Sequence, residues 1–182
     1  MSNPFVPGTR LFQITETLLA RDTPPLVPKG RWSAEATAAI EEAVSAEAAS
    51  PTILAALHLL NDDLERAHLP AQQYEGEQTA DYLHLLVHRR EGDWSNAGYW
   101  MRRTGAHPLY AELLTTLSKD DMPEPIRGWD HWDAGAFIGL CQEADQGRTD
   151  PGAAAAISAL SVMETAAVLG WCVRNPASAV SG

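Results

Sequence analysis

The sequence predicts an all-α fold, a single compact irregular bundle of about eight helices with no significant sheet. Almost no stretch alternates apolar and polar residues as a half-buried strand does. Proline and glycine instead divide the 182 residues into helix-length pieces. With 45% hydrophobic and 20% charged residues, the chain has the composition of one globular domain. We expect that domain to span residues 1–182, with a frayed tail at 177–182.

Capping residues and helix breakers place the elements. Ser33 is a suitable N-cap, and Ser50 followed by Pro51 is a cap with proline at the first helical position. Pro70 is expected to end the helix that starts there. Loops are expected at 71–78 and 120–128. The expected helices cover, in order, residues 9–21, 33–49, 50–68, 79–91, a stretch from Asp93 or Ser95 to 104, residues 108–119, a stretch from Asp130 or Asp133 to 144, and residues 150–174.

Charge and composition exclude several classes of protein. The formal net charge of −11 and an isoelectric point near 4.8 argue against nucleic-acid and anionic-membrane partners. Cys141 and Cys172 lack the spacing of a redox or zinc motif, so we expect buried free thiols in a reducing cytoplasm. The first eight residues do not resemble a signal peptide. The apolar stretch 153–173 contains Glu164, which favours a core helix over a membrane span.

The segment 81–108 is rich in side chains that carry chemistry. It holds four of the eleven arginines, three of the six histidines and two of the six tryptophans. It contains the motif His88-Arg89-Arg90-Glu91-Gly92-Asp93, Asn96-Ala97, Tyr99-Trp100, Arg102-Arg103 and His107-Pro108. This motif resembles that of a family of small helical proteins with no assigned activity, and 129–130 with 137–143 resembles a second piece, together covering roughly a quarter of the chain. The resemblance implies a helical fold and no particular reaction. Residues 92–100 are also similar to one inter-helix corner of a tetratricopeptide repeat.

The histidines of this segment share one helix face. At 100° per residue, His84, His88 and Glu91 lie within about 60° of one another, and leucines occupy most of the remaining circumference. A helix that is apolar nearly all round is buried, so the histidine face is expected to point into protein or a cleft. Buried imidazoles and carboxylates need partners there.

Three interpretations of this segment stay open. The leading hypothesis is a cleft for a small anionic molecule, with or without a reaction, in which arginine forks hold the anion and aromatic rings wall it. The second is a divalent-metal site on His84, His88 and Glu91, and no other cofactor is expected. The third is a helical protein-interaction module whose polar network is purely structural. The ligand-binding candidates are His84, His88, Arg89, Arg90, Asn96, Tyr99, Trp100, Arg103 and His107.

Candidate acid/base groups are His88, His107 and Glu164. Glu164 stands in an apolar helix and is expected to pair with an arginine or histidine of segment 81–108. His107 precedes Pro108 at an N-cap position, where it is an unusual residue. No nucleophile elbow, P-loop, dinucleotide fingerprint or zincin motif is present in the sequence. Enzymatic activity and homodimer formation are left open.

Two further polar groups have alternative interpretations. His58, Asp62 and Glu65 form either a solvated face or, turned towards His84 and His88, part of a cluster between helices. The run 129–133, with tryptophans on both sides of His131, either walls a cleft or packs against a helix start.

Overall fold

The computed structural model describes residues 2–116, 122 and 124–176. Within these residues the backbone forms helices and loops and no strand, which confirms the predicted all-α class. The expected frayed tail and the last residues of the 108–119 helix lie outside the described residues. The helices are α1 (Arg10–Leu19), α2 (Ala34–Ala46), α3 (Pro51–Leu60), α4 (Leu64–Gln73), α5 (Gln78–Glu91), α6 (Trp94–Thr104), α7 (Leu109–Thr116), α8 (Glu124–Arg127), α9 (Ala134–Asp145) and α10 (Pro151–Arg174).

The predicted caps begin the helices they were assigned to. Ser33 Oγ accepts a hydrogen bond from the backbone N–H of Ala36 at the start of α2. Of the two candidates for α6, Asp93 is the cap, and of the two candidates for α9, Asp133 is the cap. Each satisfies a backbone donor that the first helical turn would otherwise leave free.

The helix predicted over residues 50–68 is two helices, which corrects the sequence analysis. The chain turns at Asn61–Asp63, where Asp62 adopts a positive φ of 56°. The side chain of Asn61 donates to Ser33 O and Thr37 Oγ1, both at 2.9 Å. The backbone carbonyl of Asn61 accepts from Trp32 N at 2.8 Å, a donor outside the helix, and aspartate tolerates the left-handed conformation better than most residues.

Pro70 does not end a helix, contrary to expectation, and lies inside α4. It is buried together with Ala67 and Ala71, so the packing of this face outweighs the one lost backbone hydrogen bond. The loop expected at 71–78 is correspondingly shorter. The loop expected at 120–128 contains the single turn of α8.

Two helices form the centre of the core. Nearly every residue of α5 is buried, and this helix packs against α3, α4, α6 and α10. The long helix α10 packs against α3, α5, α7 and α9, as expected of a core helix. By length and hydropathy alone α10 would also qualify as a membrane span, but just over half of its most apolar window is buried inside the fold.

A tight turn at Gly92 joins α5 to α6. Gly92 has a φ of 76°, a left-handed conformation that glycine adopts without steric cost, and Asp93 then begins α6. Because the link is so short, the two helices pack against each other along their length. This arrangement sets Trp100 of α6 against the histidine face of α5.

Candidate metal centre

Three histidines converge where α4 packs against α5. His68 belongs to α4, and His84 and His88 belong to α5. One ring nitrogen from each lies within 4.8 Å of the other two. The closest approach is 2.7 Å, between Nε2 of His68 and Nε2 of His84. We call these three residues the histidine cluster.

The local sequence explains why the cluster forms. His84 and His88 are four residues apart and therefore lie one above the other on α5. The link between α4 and α5 is only a few residues long, so the two helices are close neighbours. Asp81 and Glu77 hold this link, since Asp81 Oδ1 accepts from Gly76 N at 3.0 Å and Glu77 Oε2 accepts from Ala80 N at 2.8 Å.

Glu91 orients one ring of the cluster. Its Oε2 lies 2.9 Å from Nδ1 of His88. A carboxylate only accepts hydrogen bonds, so the imidazole N–H is at Nδ1 and the lone pair of a neutral ring is at Nε2. Metal-binding histidines commonly donate their other ring nitrogen to a carboxylate in this way. Glu91, which the sequence analysis listed as a third ligand, is placed here as the group that positions His88, and His68 is the third imidazole.

Trp100 and Arg103 complete the wall beside the cluster. The Trp100 ring stacks on His84 with centroids 3.7 Å apart and planes inclined by 20°. The guanidinium carbon of Arg103 lies 4.9 Å from the Trp100 ring centroid, within cation–π range. Arg103 Nε also lies 3.5 Å from Asp81 Oδ2, and the Arg103 side chain is 36% exposed. The stack holds the His84 ring in one orientation.

The electrostatics keep His84 neutral at physiological pH. Burial, and then the nearby His68, His88 and Arg103, lower the pKa of His84 to about 3. A neutral imidazole is the form that binds a metal ion. Two imidazole nitrogens at 2.7 Å require either one proton or one cation between them. Nδ1 of His84 is buried without a hydrogen-bond partner, so the ring is not fully satisfied by the protein.

Two of the three arginines predicted for the anion cleft, Arg89 and Arg90, face elsewhere. Arg89 is completely buried and forms an ion pair with Glu164 of α10. Arg90 forms an ion pair with Asp62 at the α3–α4 corner. The structure therefore brings together His84, His88 and Trp100, with Arg103 beside Trp100, and it sends the two neighbouring arginines into separate networks.

Asn96 and Tyr99 lie on the outer side of α6. Asn96 Nδ2 donates to the capping Asp93 at 2.7 Å, an exposed contact within one turn. Tyr99 is 45% exposed, and its hydroxyl lies 3.4 Å from Nη1 of Arg103. Neither residue is among those that contact the histidine cluster rings directly, although Tyr99 packs edge-on against Trp100.

His107 caps α7. Leu109 N donates to His107 Nδ1 at 3.1 Å, which places the proton of the neutral ring on Nε2, 3.3 Å from Thr79 Oγ1. Burial lowers the pKa of His107 to about 4. Histidine is an unusual cap, yet Nδ1 of His107 accepts a hydrogen bond from the first turn of α7. The ring also lies among the aromatic rings of Tyr82, Tyr110 and Trp171.

Glu164 pairs with an arginine of segment 81–108, as the sequence predicted. Tyr82 Oη donates to Glu164 Oε1 at 2.6 Å, and the carboxylate is completely buried. Burial and the adjacent carboxylate raise the pKa of Tyr82 well above its usual value of 10. Glu164 is therefore sealed in the core, out of reach of solvent.

His68 was not among the predicted site residues. His58, Asp62 and Glu65 were expected to form a solvated face or to join the α5 histidines, but His58 and Asp62 are buried, and Asp62 is engaged by Arg21 and Arg90 at the α3–α4 corner. His58 is buried apart, with Asp63 as its main charged neighbour. No local signal indicated His68, because Pro70 was expected to end the preceding helix and residues 71–78 to form a loop, and the short link between α4 and α5 is a property of the fold.

The two tryptophans of the run 129–133 pack against neighbouring aromatic rings. Trp132 is 2% exposed and packs on Phe137 with ring centroids 4.8 Å apart, while Trp129 packs against Trp132. His131 is exposed and contacts only the neighbouring Asp130 among the polar groups described. This outcome fits the packing interpretation of the two tryptophans.

Comparison with known proteins adds no further assignment. The chain matches no protein-family model, no curated protein and no solved structure. The resemblance of the 88–108 motif to a family of small helical proteins therefore stays a prediction.

Proposed function

We propose that the protein binds one divalent transition-metal ion through His68, His84 and His88. The convergence of three ring nitrogens within 4.8 Å of one another carries this proposal. Around a tetrahedral zinc ion with Zn–N bonds of about 2.0–2.1 Å, ligand nitrogens lie roughly 3.4 Å apart. Side-chain adjustments of less than 1.5 Å or so would bring the cluster to that spacing.

The donor set selects the class of ion. Imidazole suits zinc, copper, nickel, cobalt and iron, whereas magnesium and calcium prefer oxygen ligands. Zinc is the ion we propose first, because three histidines form a common zinc-binding set. Glu91 supplies the carboxylate that fixes the ring of His88.

The site opens to solvent at one edge. His68 is half-buried, the His88 side chain is 12% exposed and the Glu91 side chain is 38% exposed. Three protein ligands with solvent access leave a fourth position for water, which distinguishes catalytic zinc sites from closed structural ones. The proposed site is thus of the catalytic type. A structural role for the ion is not needed, since the surrounding core is built from apolar packing.

Metal binding is tested on full-length protein without a histidine tag. The protein is treated with a chelator, dialysed, and titrated with zinc chloride in a calorimeter. We expect one zinc ion per chain, and a rise in melting temperature in excess zinc because binding stabilises only the folded state. The variants His68→Ala and His88→Ala should lose at least about tenfold in zinc affinity, whereas the control His131→Ala removes an exposed histidine and should bind normally.

The Glu91→Gln variant tests whether Glu91 is itself a metal ligand or only orients the ring of His88. It should keep the stoichiometry of one ion per chain and lose roughly 10–100-fold in affinity, as for other groups that orient a metal-binding histidine. Circular dichroism melts without zinc show whether each variant folds. The proposal fails if wild-type protein takes up no zinc, or if His68→Ala and His131→Ala bind zinc equally well.

A further inference from the structure

A surface cavity of about 640 Å³ lies beside the loop that joins α1 to α2. Its wall contains three cationic side chains, two carboxylates and one tryptophan, contributed by Arg21, Lys29, Arg31, Asp22, Asp62 and Trp32. A surplus of positive charge is notable in a chain whose net charge is −11. The volume is in the range of roughly 300–1,000 Å³ that small-molecule sites occupy.

The charge at the floor of this cavity is unbalanced. Asp62 accepts from both Arg21, at 2.6 Å, and Arg90, so one carboxylate faces two guanidinium groups. The side chains of all three are at least 95% buried. Nη1 of Arg21 and Nε of Arg90 are buried with no hydrogen-bond partner. Two buried guanidinium groups that share one carboxylate leave one positive charge uncompensated, which is costly, and an added anion would offset that cost.

The ionisation of Arg90 reflects the same imbalance. Burial, with the nearby Arg21 and Arg89, lowers the pKa of Arg90 to about 10 although Asp62 acts in the opposite direction. The Arg90 guanidinium remains charged at neutral pH. At the rim, Lys29 and Arg31 are exposed and extend the positive surface outward.

Trp32 adds an aromatic wall. Its ring is one of the few large apolar side chains on the surface described, at 46% exposure. Its backbone N–H donates to Asn61 O at 2.8 Å, which anchors the residue to the α3–α4 corner. The guanidinium carbon of Arg21 lies 5.3 Å from the ring centroid. An exposed tryptophan beside guanidinium groups suits a ligand that has both a planar ring and an anionic group.

We propose that this cavity binds a small phosphate monoester that carries a planar ring, with the phosphate among Arg21, Lys29 and Arg31 and the ring against Trp32. Phosphate is favoured over carboxylate because Arg21, Lys29, Arg31 and the buried Arg90 outnumber the carboxylates of Asp22 and Asp62 by two, which matches a dianion better than a monoanion. The site is separate from the histidine cluster, since none of its lining residues belongs to that cluster.

The binding test uses calorimetry on the full chain with EDTA present, so that bound metal cannot hold the phosphate. The probes are phenyl phosphate, inorganic phosphate and benzoate. We expect saturable binding of phenyl phosphate, and at least tenfold weaker binding of the other two. Absence of saturable phenyl phosphate binding, or equal affinity for inorganic phosphate, would overturn the proposal.

Matched variants locate the site. Lys29→Gln combined with Arg31→Gln changes only exposed residues and should weaken phenyl phosphate binding at least tenfold. Arg148→Gln, which removes an exposed arginine outside the cavity, should leave that binding unchanged. Trp32→Ala should weaken phenyl phosphate and spare inorganic phosphate. His68→Ala should retain phenyl phosphate binding, so failure of the metal site and failure of this site are distinguishable. Equal affinity in the cavity variant and Arg148→Gln would refute the assignment.

Discussion

Arg89 of α5 and Glu164 of α10 form an ion pair in which neither side chain is accessible to solvent. Tyr82 donates to the carboxylate at 2.6 Å, and Arg89 Nη2 lies 3.3 Å from Ser161 Oγ. The guanidinium carbon also lies 4.7 Å from the Phe137 ring centroid. Moving both charges out of water is costly, so the pair contributes more to the relative placement of α5 and α10 than to net stability.

Removing one member of this pair should be strongly destabilising. Glu164→Gln keeps an acceptor for Tyr82 but leaves the Arg89 charge without its counter-ion, which should cost about 3–5 kcal/mol of the free energy of unfolding. Urea denaturation followed by circular dichroism measures the loss. The matched control is Glu42→Gln, which removes one member of the exposed Arg10–Glu42 pair and should change stability little. Similar losses in the free energy of unfolding of the two variants would show that the buried pair matters no more for stability than the exposed one.

Stability should fall in mild acid because of His107. Its pKa is about 4 in the folded protein against 6.5 for an ordinary histidine, and Glu77 is its main charged neighbour. Between pH 6.5 and 4 the unfolded chain therefore binds more protons. The contribution is fully present above pH 6.5 and is lost as the pH falls through this window, up to about 3 kcal/mol.

The variant His107→Asn tests that assignment. Asparagine is a good N-cap, so the variant should still accept the hydrogen bond from Leu109 while no longer titrating. We expect a flatter dependence of the free energy of unfolding on pH between 6.5 and 4 than in the wild type, measured by urea denaturation at each pH. His84 and His58 contribute to the remaining slope, because burial lowers the pKa of each. An unchanged slope would refute the role of His107.

Alanine at two glycines should have opposite effects. Gly92 has a φ of 76°, and an added Cβ would lie 3.5 Å from Val27, an ordinary contact. Gly92→Ala should therefore lose about 1–2 kcal/mol from backbone strain and not from a clash. Gly139 lies inside α9 with open space around it, so Gly139→Ala should gain up to about 1 kcal/mol from helix propensity. Thermal melts of both variants compare the two; a loss at Gly139 as large as that at Gly92 would contradict this account.

Neither cysteine should react in the native state. Cys141 and Cys172 are free and buried, and burial raises the pKa of each thiol to about 12. Only the thiolate is a good nucleophile, and the fold blocks access to it as well. A colorimetric thiol assay should detect no thiols in the folded protein and both of them in concentrated urea. Rapid labelling of a thiol under native conditions would disagree with the packing of α9 or α10.

The helical class and the caps were predictable because they depend on local chemistry. Asp93 and Asp133 each precede a helix and bond to its first turn, a relationship contained within four residues of sequence. The type of residue that pairs with Glu164 was also predictable, because a carboxylate in an apolar helix must find a cation. These inferences need no knowledge of the tertiary arrangement.

The α3–α4 corner and the third histidine were not predictable in the same way. The chain turns at Asp62 because Asn61 bonds to α2 residues and Asp62 to Arg21 and Arg90, all distant in sequence. Without that turn, His68 would not lie beside α5. The sequence showed the i, i+4 spacing of His84 and His88, but the third member depends on how two helices pack, which local periodicity does not encode.

Arg89 and Arg90 form ion pairs in different directions from α5, and their spacing in the sequence explains this only in part. Arg89 and Arg90 are about 100° apart around α5, so one of them could not reach the other's partner. Which direction each would face depended on where α10 and the α3–α4 corner lie. The anion cleft was inferred from the arginine, histidine and aromatic side chains of segment 81–108, and the structure pairs Arg89 and Arg90 with two separate carboxylates instead.

The Arg89–Glu164 pair has a consequence for how the chain matures during translation. Arg89 is synthesised 75 residues before its counter-ion. A ribosome-bound chain that ends before α10 has no carboxylate with which to bury that guanidinium, and the space that α10 fills beside α3 and α5 is still open to water. The nascent polypeptide therefore completes its interior only after α10 emerges from the exit tunnel, and premature termination anywhere upstream should yield a product that the quality-control machinery treats as unfolded.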